Sequence, residues 1–276
     1  MSSSLASGTA RKMETSLQDV VQYRLPLGDT RVAMNELVGA DLLLRHEGDI
    51  HCIHCDRKIR KSFSQGYCYP CFTRLAQCDS CIVSPEKCHY DQGTCREPQW
   101  GEEHCMVEHV VYLANTSGVK VGITRGSQVP TRWMDQGAVQ AMPIFRVSTR
   151  LQSGLVETAF KSHVADRTNW RAMLKGGVEA LDLAAERDRL YEVTAGELTL
   201  LQDRFGLQAI QSTTEPAVDI NYPVEEYPLK VVSHNLDKTP ELRGKLRGIK
   251  GQYLIFDNGV INMRKYGGYH LSLSLQ

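Results

Sequence analysis

A chain of 276 residues is long enough for two or three small domains, and 42% hydrophobic with 23% charged residues places it among globular rather than disordered sequences. No stretch approaches the ~18 apolar residues that span a bilayer, and the opening MSSSLASGTARK lacks an apolar core, so it reads as a frayed tail rather than a signal peptide. The formal net charge is zero, and nine cysteines in a chain expected in a reducing cytoplasm argue for metal sites over disulfides.

Residues 1–50 read as an N-terminal β segment. VVQYRLPLGD and VAMNELVGADLLLRHEGDIHC are strand-like, with Gly28, Gly39 and Gly48 as punctuation. Residues 51–106 hold all nine cysteines. Cys52-x2-Cys55 and Cys68-x2-Cys71, twelve residues apart, form two matched knuckles. Each CxxC pair turns tightly enough for both thiolates to reach one ion, and two pairs complete a closed tetrahedral shell, which predicts a structural zinc. The loop between them carries Arg57, Lys58, Arg60 and Lys61 with Phe63 and Tyr67, a mixture suited to phosphate contact and base stacking. A second group follows, Cys78-x2-Cys81-x6-Cys88-x6-Cys95. It predicts a second zinc at Cys78, Cys81, Cys88 and Cys95, with an iron–sulfur cluster on the same four thiols as the alternative. Cys105 is then the odd thiol, either a small buried hydrophobe or a ligand that displaces one of those four.

Residues 107–175 form the next region. HVVYLANTSGVKVGITR, His109 to Arg125, reads as a strand, a Ser-Gly turn and a second strand. PIFRVSTR is a third strand candidate, and SGLVETAFKSHV reads as a helix N-capped by Ser153. VVY at Val110–Tyr112 and KVG at Lys120–Gly122 resemble the two halves of the GIY-YIG nuclease motif. Val110 stands in place of the first glycine and Lys120 in place of the second tyrosine. Arg132 sits where that family's arginine falls, and Glu157 where its glutamate falls. Asn169, twelve residues on, is similar to an asparagine of the family's excision-repair branch. The resemblance covers about residues 110–170, and the whole chain also resembles an uncharacterised bacterial family that joins cysteine clusters to such a core.

That resemblance implies a divalent-metal-dependent phosphodiester hydrolase. Glu157 would hold one Mg²⁺ or Mn²⁺, and Tyr112 would orient or deprotonate the attacking water. Arg132 would clamp the phosphate. Lys120 would assist as a base if its pKa were depressed, or contact phosphate otherwise. Gly122 would leave the strand bare for the phosphate to approach. Each residue also has a plainer reading. Glu157 and Lys161 are an i,i+4 pair of any solvated helix, and Asn169 could cap the segment that begins at Trp170.

Residues 176–206 contain two acidic amphipathic helices, VEALDLAAERDRLYEV and GELTLLQDRF. Residues 207–276 return to short strands, and Asp257-Asn258-Gly259 is a hairpin turn between YLIF and VINM. Charge follows these regions. Val110–Lys175 has nine Lys/Arg against three acids, Gly176–Pro228 three against eleven, and Lys230–Gln276 eight against three. A polyanion would feel the two basic fields rather than the zero sum, which suits DNA or RNA and no membrane.

The expected class is therefore α+β, with the two terminal β segments joining in one unit because each alone has too few strands to bury a face. Three functions fit: a GIY-YIG-type nuclease, a catalytically inactive zinc-stabilised DNA- or RNA-binding protein, or an iron–sulfur protein in redox or nucleic-acid modification.

Overall fold

The computed structural model describes residues 3–164 and 168–276. Met1 and Ser2 of the opening segment, and Asp166 and Arg167 of the first basic region, lie outside them. In chain order the elements are β1 (Ser3–Thr9), β2 (Glu14–Ser16), β3 (Gln22–Leu27), β4 (Thr30–Ala33), β5 (Asp41–His51), β6 (Lys58–Ile59), α1 (Tyr69–Arg74), α2 (Pro98–His104), β7 (His109–Asn115), β8 (Val119–Arg125) and α3 (Thr131–Asp135). They continue with β9 (Gln140–Val147), α4 (Arg150–Lys161), α5 (Trp170–Met173), α6 (Leu183–Val193), α7 (Ala195–Phe205), β10 (Ile210–Ser212), β11 (Val218–Asp219), β12 (Glu241–Lys250), β13 (Tyr253–Phe256), β14 (Gly259–Asn262) and β15 (Tyr269–Leu275). This is an α+β chain. It divides into two compact units, Met1–Thr73 with Leu174–Gly176 and Asn221–Gln276, and Arg74–Met173 with Gly177–Ile220.

The first unit unites the two ends of the sequence. Its main sheet runs β1-β15-β5-β12-β13-β14, with β6 on β5, and a smaller sheet runs β2-β3-β4. Leu242, Leu44 and Leu273 stand opposite one another across β12, β5 and β15, all buried. Each such leucine contributes about 1.5–3 kcal/mol on burial, and none would be covered by its own short segment alone. The opening residues are not a frayed tail. Ser3–Thr9 pairs along β15, from Ser3 opposite Leu275 to Thr9 opposite His270. Small residues such as Ala6 and Gly8 carry no hydrophobic signal in the sequence, yet they are buried, and the strand is held by backbone hydrogen bonds. The turn expected at Asp257-Asn258-Gly259 joins β13 to β14, with Phe256 opposite Gly259.

The second unit is built on the sheet β10-β9-β7-β8, with β11 on β9. One face buries Val111, Leu113 and Val121 against Val156 and Phe160 of α4, Leu183 and Leu190 of α6, and Leu198 of α7. The acidic stretch expected as a region of its own is thus part of this core: Leu183, Leu190 and Leu198 point inward while Asp188, Glu192 and Glu197 remain exposed. Helix α4 begins three residues before the expected cap. Thr149 is the N-cap and forms a capping box with Gln152, while Ser153 is buried and donates its hydroxyl to the Arg150 carbonyl oxygen at 2.7 Å. Ser153-Gly154 looks like a helix start in the sequence because both residues are poor helix formers. Gly154 is instead required mid-helix, since a Cβ there would lie 2.6 Å from the Glu86 nitrogen and from the Pro85 side chain.

Candidate metal sites and active-site geometry

Cys52 directly follows the long strand β5, Cys55 comes in the turn after it, and Cys68 and Cys71 flank and enter α1. Their four sulfurs all lie within 4.8 Å of one another, and Cys55 and Cys68 are 3.8 Å apart. This set could hold a metal ion such as zinc, whose sulfurs at ~2.3 Å would stand about 3.8 Å from each other. The backbone supports the charge that such binding needs. Burial alone would raise the Cys52 thiol, but backbone N–H groups of Cys55, Cys68 and His54 bring it down to about 6. The Cys68 N–H reaches the Cys52 sulfur at 3.2 Å. The Cys71 thiol is pushed up, first by burial and then by its crowded neighbours Cys68, Cys55 and Cys52. Four thiols in one pocket cannot all ionise without a cation, so metal binding and proton release are coupled.

The loop between these knuckles is less free than its sequence suggests. Arg57, Lys58, Arg60 and Lys61 are exposed, but Lys58 is tied to Asp49 at 2.6 Å. Phe63 packs on Tyr69 and Phe72, with centroids 5.5 and 5.7 Å away, and Lys61 lies over its ring. Phe63 therefore serves the knuckle's own packing.

The second cysteine group lies in the other unit, on a succession of 3-10 turns at Ala76–Cys78, Ser80–Ile82, Pro85–Lys87 and Tyr90–Gln92, and on α2. Cys81, Cys88, Cys95 and Cys105 line one cavity of ≈ 10 Å³ together with Ile82 and Trp100, and Cys78 is not among its lining residues. Of the two roles open to Cys105, the structure places it at this cavity, where burial raises its thiol pKa and Arg150 opposes the rise. The thiol of Cys81 is raised to about 11, first by burial and next by Asp79. Asp79, Cys81 and His89 also bring three ligand atoms within 4.8 Å of one another. Asp79 is already held by Arg96 at 2.8 Å and by the Ser80 N–H at 2.5 Å.

The helix α4 links this group to the motif residues. Its Arg150 donates a guanidinium hydrogen bond to the Ile82 carbonyl at 2.6 Å, and the Arg150 N–H bonds the Cys105 carbonyl at 2.8 Å. Two turns further along the same helix comes Glu157, 12% exposed, with Lys161 at 3.3 Å. Tyr112 on β7 is opposite Gly122 on β8 and fully buried. Its hydroxyl donates to Gln136 Oε1 at 3.0 Å, and its ring meets Trp133 edge-on at 6.0 Å. Burial pushes the Tyr112 pKa up to about 12; Arg132 opposes this by charge and a hydrogen bond, and the Glu157 charge adds to it. Tyr112 thus has Gly122 opposite it and Arg132 at its hydroxyl, and Glu157 on α4 is near enough for its charge to act on that hydroxyl.

Gly122 has a packing role: a Cβ there would sit 2.7 Å from the Tyr112 hydroxyl, so the glycine makes room for the tyrosine ring. Tyr112 is a neutral phenol near pH 7, suited to orienting a water rather than taking its proton. Lys120 is 4% exposed, two residues from Gly122 on the same face. Asn169 caps α5, its Oδ1 accepting the Ala172 N–H at 3.2 Å. Gln136 and Arg150 are site residues the sequence did not single out. Arg150 counted only as a basic residue, and Gln136 carried no signal at all.

One compact four-cysteine set that could hold a metal ion, a second cysteine-lined cavity and an antiparallel sheet core define an α+β protein with a candidate metal site. The chain belongs to the family described as Protein of unknown function (DUF2797), whose model matches residues 39–271, from the approach to β5 through both cysteine groups and into β15. No curated protein and no solved structure matches the chain. Among the described residues, no helix is long and apolar enough to cross a membrane.

Proposed function

We propose that the second unit is a divalent-metal-dependent phosphodiester hydrolase of GIY-YIG type acting on DNA or RNA in a reducing cytoplasm, and that Cys52, Cys55, Cys68 and Cys71 hold a structural zinc. The Tyr112 hydroxyl supports this reading, since Arg132 hydrogen-bonds it beside Gly122 and the Glu157 charge acts on it, although the residues come from strand, helix and helix with no shared local pattern. The Glu157 carboxylate would exchange Lys161 for Mg²⁺ or Mn²⁺, an ion that supplies Lewis-acid relief of phosphoryl charge. Arg132 presents a planar donor fork to the phosphate. Tyr112, neutral and fixed by Gln136, orients the water. Lys120 contributes positive charge beside the same strand pair.

A second reading, a zinc-stabilised nucleic-acid-binding protein without cleavage, is favoured by the burial of Tyr112 and Lys120 and by the Glu157–Lys161 pair. One variant separates them. Glu157→Gln keeps the shape and removes the charge, so cleavage of DNA or RNA with Mg²⁺ or Mn²⁺ should fall about 10²–10⁴-fold while binding survives. Wild-type protein that binds nucleic acid but cuts neither DNA nor RNA, across varied substrates and both ions, moves the function to the second reading.

A further inference from the structure

We propose that Cys81, Cys88, Cys95 and Cys105 ligate a polynuclear iron–sulfur cluster, distinct from the ion of the first cysteine set. The inference stands independently of the hydrolase reading. Among the described residues, the sets whose ligand atoms all lie within 4.8 Å of one another are Cys52–Cys55–Cys68–Cys71 and Asp79–Cys81–His89. The four thiols of the second cavity are spread more widely than that, yet all four face the same space.

The space itself discriminates between metals. Four sulfurs ~2.3 Å from one zinc nearly touch, and no water-sized sphere fits between them. The cavity here is ≈ 10 Å³, room for about one such sphere. A cluster interposes its own iron and sulfide atoms between the cysteines, so its ligands must stand apart around an interior. Four cysteines are the usual ligand number for both two-iron and four-iron clusters. Ile82 and Trp100 supply an apolar wall, and Asp79 and His89 line the same cavity.

Charge and chain geometry agree. A cluster bound by four thiolates is anionic. Arg150 lies against this segment through Ile82 and Cys105, and its buried Nε has no hydrogen-bond partner among the described residues. A cation left partly unsatisfied near Cys81 and Cys105 fits an anion that is held there. Cys81 lies in a short 3-10 turn, Cys88 follows another and Cys95 has no regular structure around it, so a bound group would contribute order that the backbone between Arg74 and Pro98 does not supply. The competing mononuclear site, Asp79–Cys81–His89, uses a carboxylate already committed to Arg96.

Full-length protein purified without oxygen, and reconstituted with ferrous iron and sulfide, should contain iron and acid-labile sulfide in equal amounts, one zinc per chain, and a visible charge-transfer absorption. Cys88→Ser and Cys105→Ser should lose the iron, the sulfide and the absorption while keeping the zinc; Cys78→Ser should keep all three. Two zinc ions per chain and no sulfide in reconstituted wild type would overturn the proposal, whatever the variants do. So would loss of the second metal in Asp79→Asn or His89→Ala with full retention in Cys105→Ser.

Discussion

Cys52, Cys55, Cys68 and Cys71 sit on two tight knuckles, one closing β5 and one opening α1, and their sulfurs are gathered within 4.8 Å before any ion is considered. Cys81, Cys88, Cys95 and Cys105 are strung over 25 residues, mostly short turns, and are brought to one cavity with the help of α4, through Arg150 and Gly154. In the first set local backbone geometry does the gathering, because two residues between cysteines leave the chain few ways to point both thiols anywhere else. In the second the separations of six, six and nine residues fix nothing, and packing against α4 decides the outcome. The two sets should therefore fail differently.

The largest effect is expected at the compact site. Cys52→Ser should abolish stoichiometric zinc and unfold the first unit, because a closed shell contributes a share of the ~10–16 kcal/mol seen for structural zinc in small metal-folded peptides. Calorimetry with zinc analysis measures it; a variant that melts like wild type without zinc would make the ion dispensable and erase the contrast.

Acid should probe the second unit. His109 begins β7, fully buried, with Nδ1 against the Val107 carbonyl at 2.7 Å and no hydrogen-bond partner for Nε2 among the described residues. Burial lowers its pKa from 6.5 to about 4. Between those values the unfolded chain takes up a proton that the folded chain refuses, so stability falls as the pH drops through that window. The full shift is worth about 3 kcal/mol. Urea titrations at pH 7 and pH 4.5 should show the loss, and His109→Gln should flatten it; an equal pH dependence in the variant would assign the effect elsewhere.

Gly154→Ala tests the support of the second cysteine set directly. The added carbon would meet backbone at Glu86 2.6 Å away, and overpacking of this kind costs about 1–3 kcal/mol. Metal content at the second set should drop with stability, read by denaturant unfolding and elemental analysis of one sample. Gly122→Ala is the comparison: its carbon meets the Tyr112 hydroxyl at 2.7 Å, so a similar cost should appear with the metals unchanged.

The smallest effect concerns the first knuckle loop. If it contacts phosphate, neutralising Arg57, Arg60 and Lys61 should flatten the slope of log affinity against log salt by about 0.7–0.9 for each phosphate no longer neutralised. Lys58, held by Asp49, should change it least. An unchanged slope makes the loop an ordinary solvated surface. Elsewhere the basic count overstates the field, since Arg146 is shared between Glu108 at 2.7 Å and Glu215 at 2.8 Å.

By itself the sequence determined what depends on near neighbours. The CxxC knuckles, the β7–β8 hairpin, the two-residue turn before Gly259 and the amphipathic helices α6 and α7 all follow from spacing, turn chemistry or periodicity within a few residues. Tertiary structure decided what depends on distant partners. Ser3–Thr9 became a strand because β15 offered it a ladder, although its small residues form no apolar pattern. Cys105 rather than Cys78 reached the second cavity because α2 and α4 carry it there. Gly122 answers to a tyrosine ten residues back across the hairpin, and Gly154 to a turn nearly seventy residues earlier. A side chain's local preference is a matter of fractions of a kcal/mol, whereas burial, a clash or a shared ion is worth several, so the long-range contact prevails wherever the two disagree.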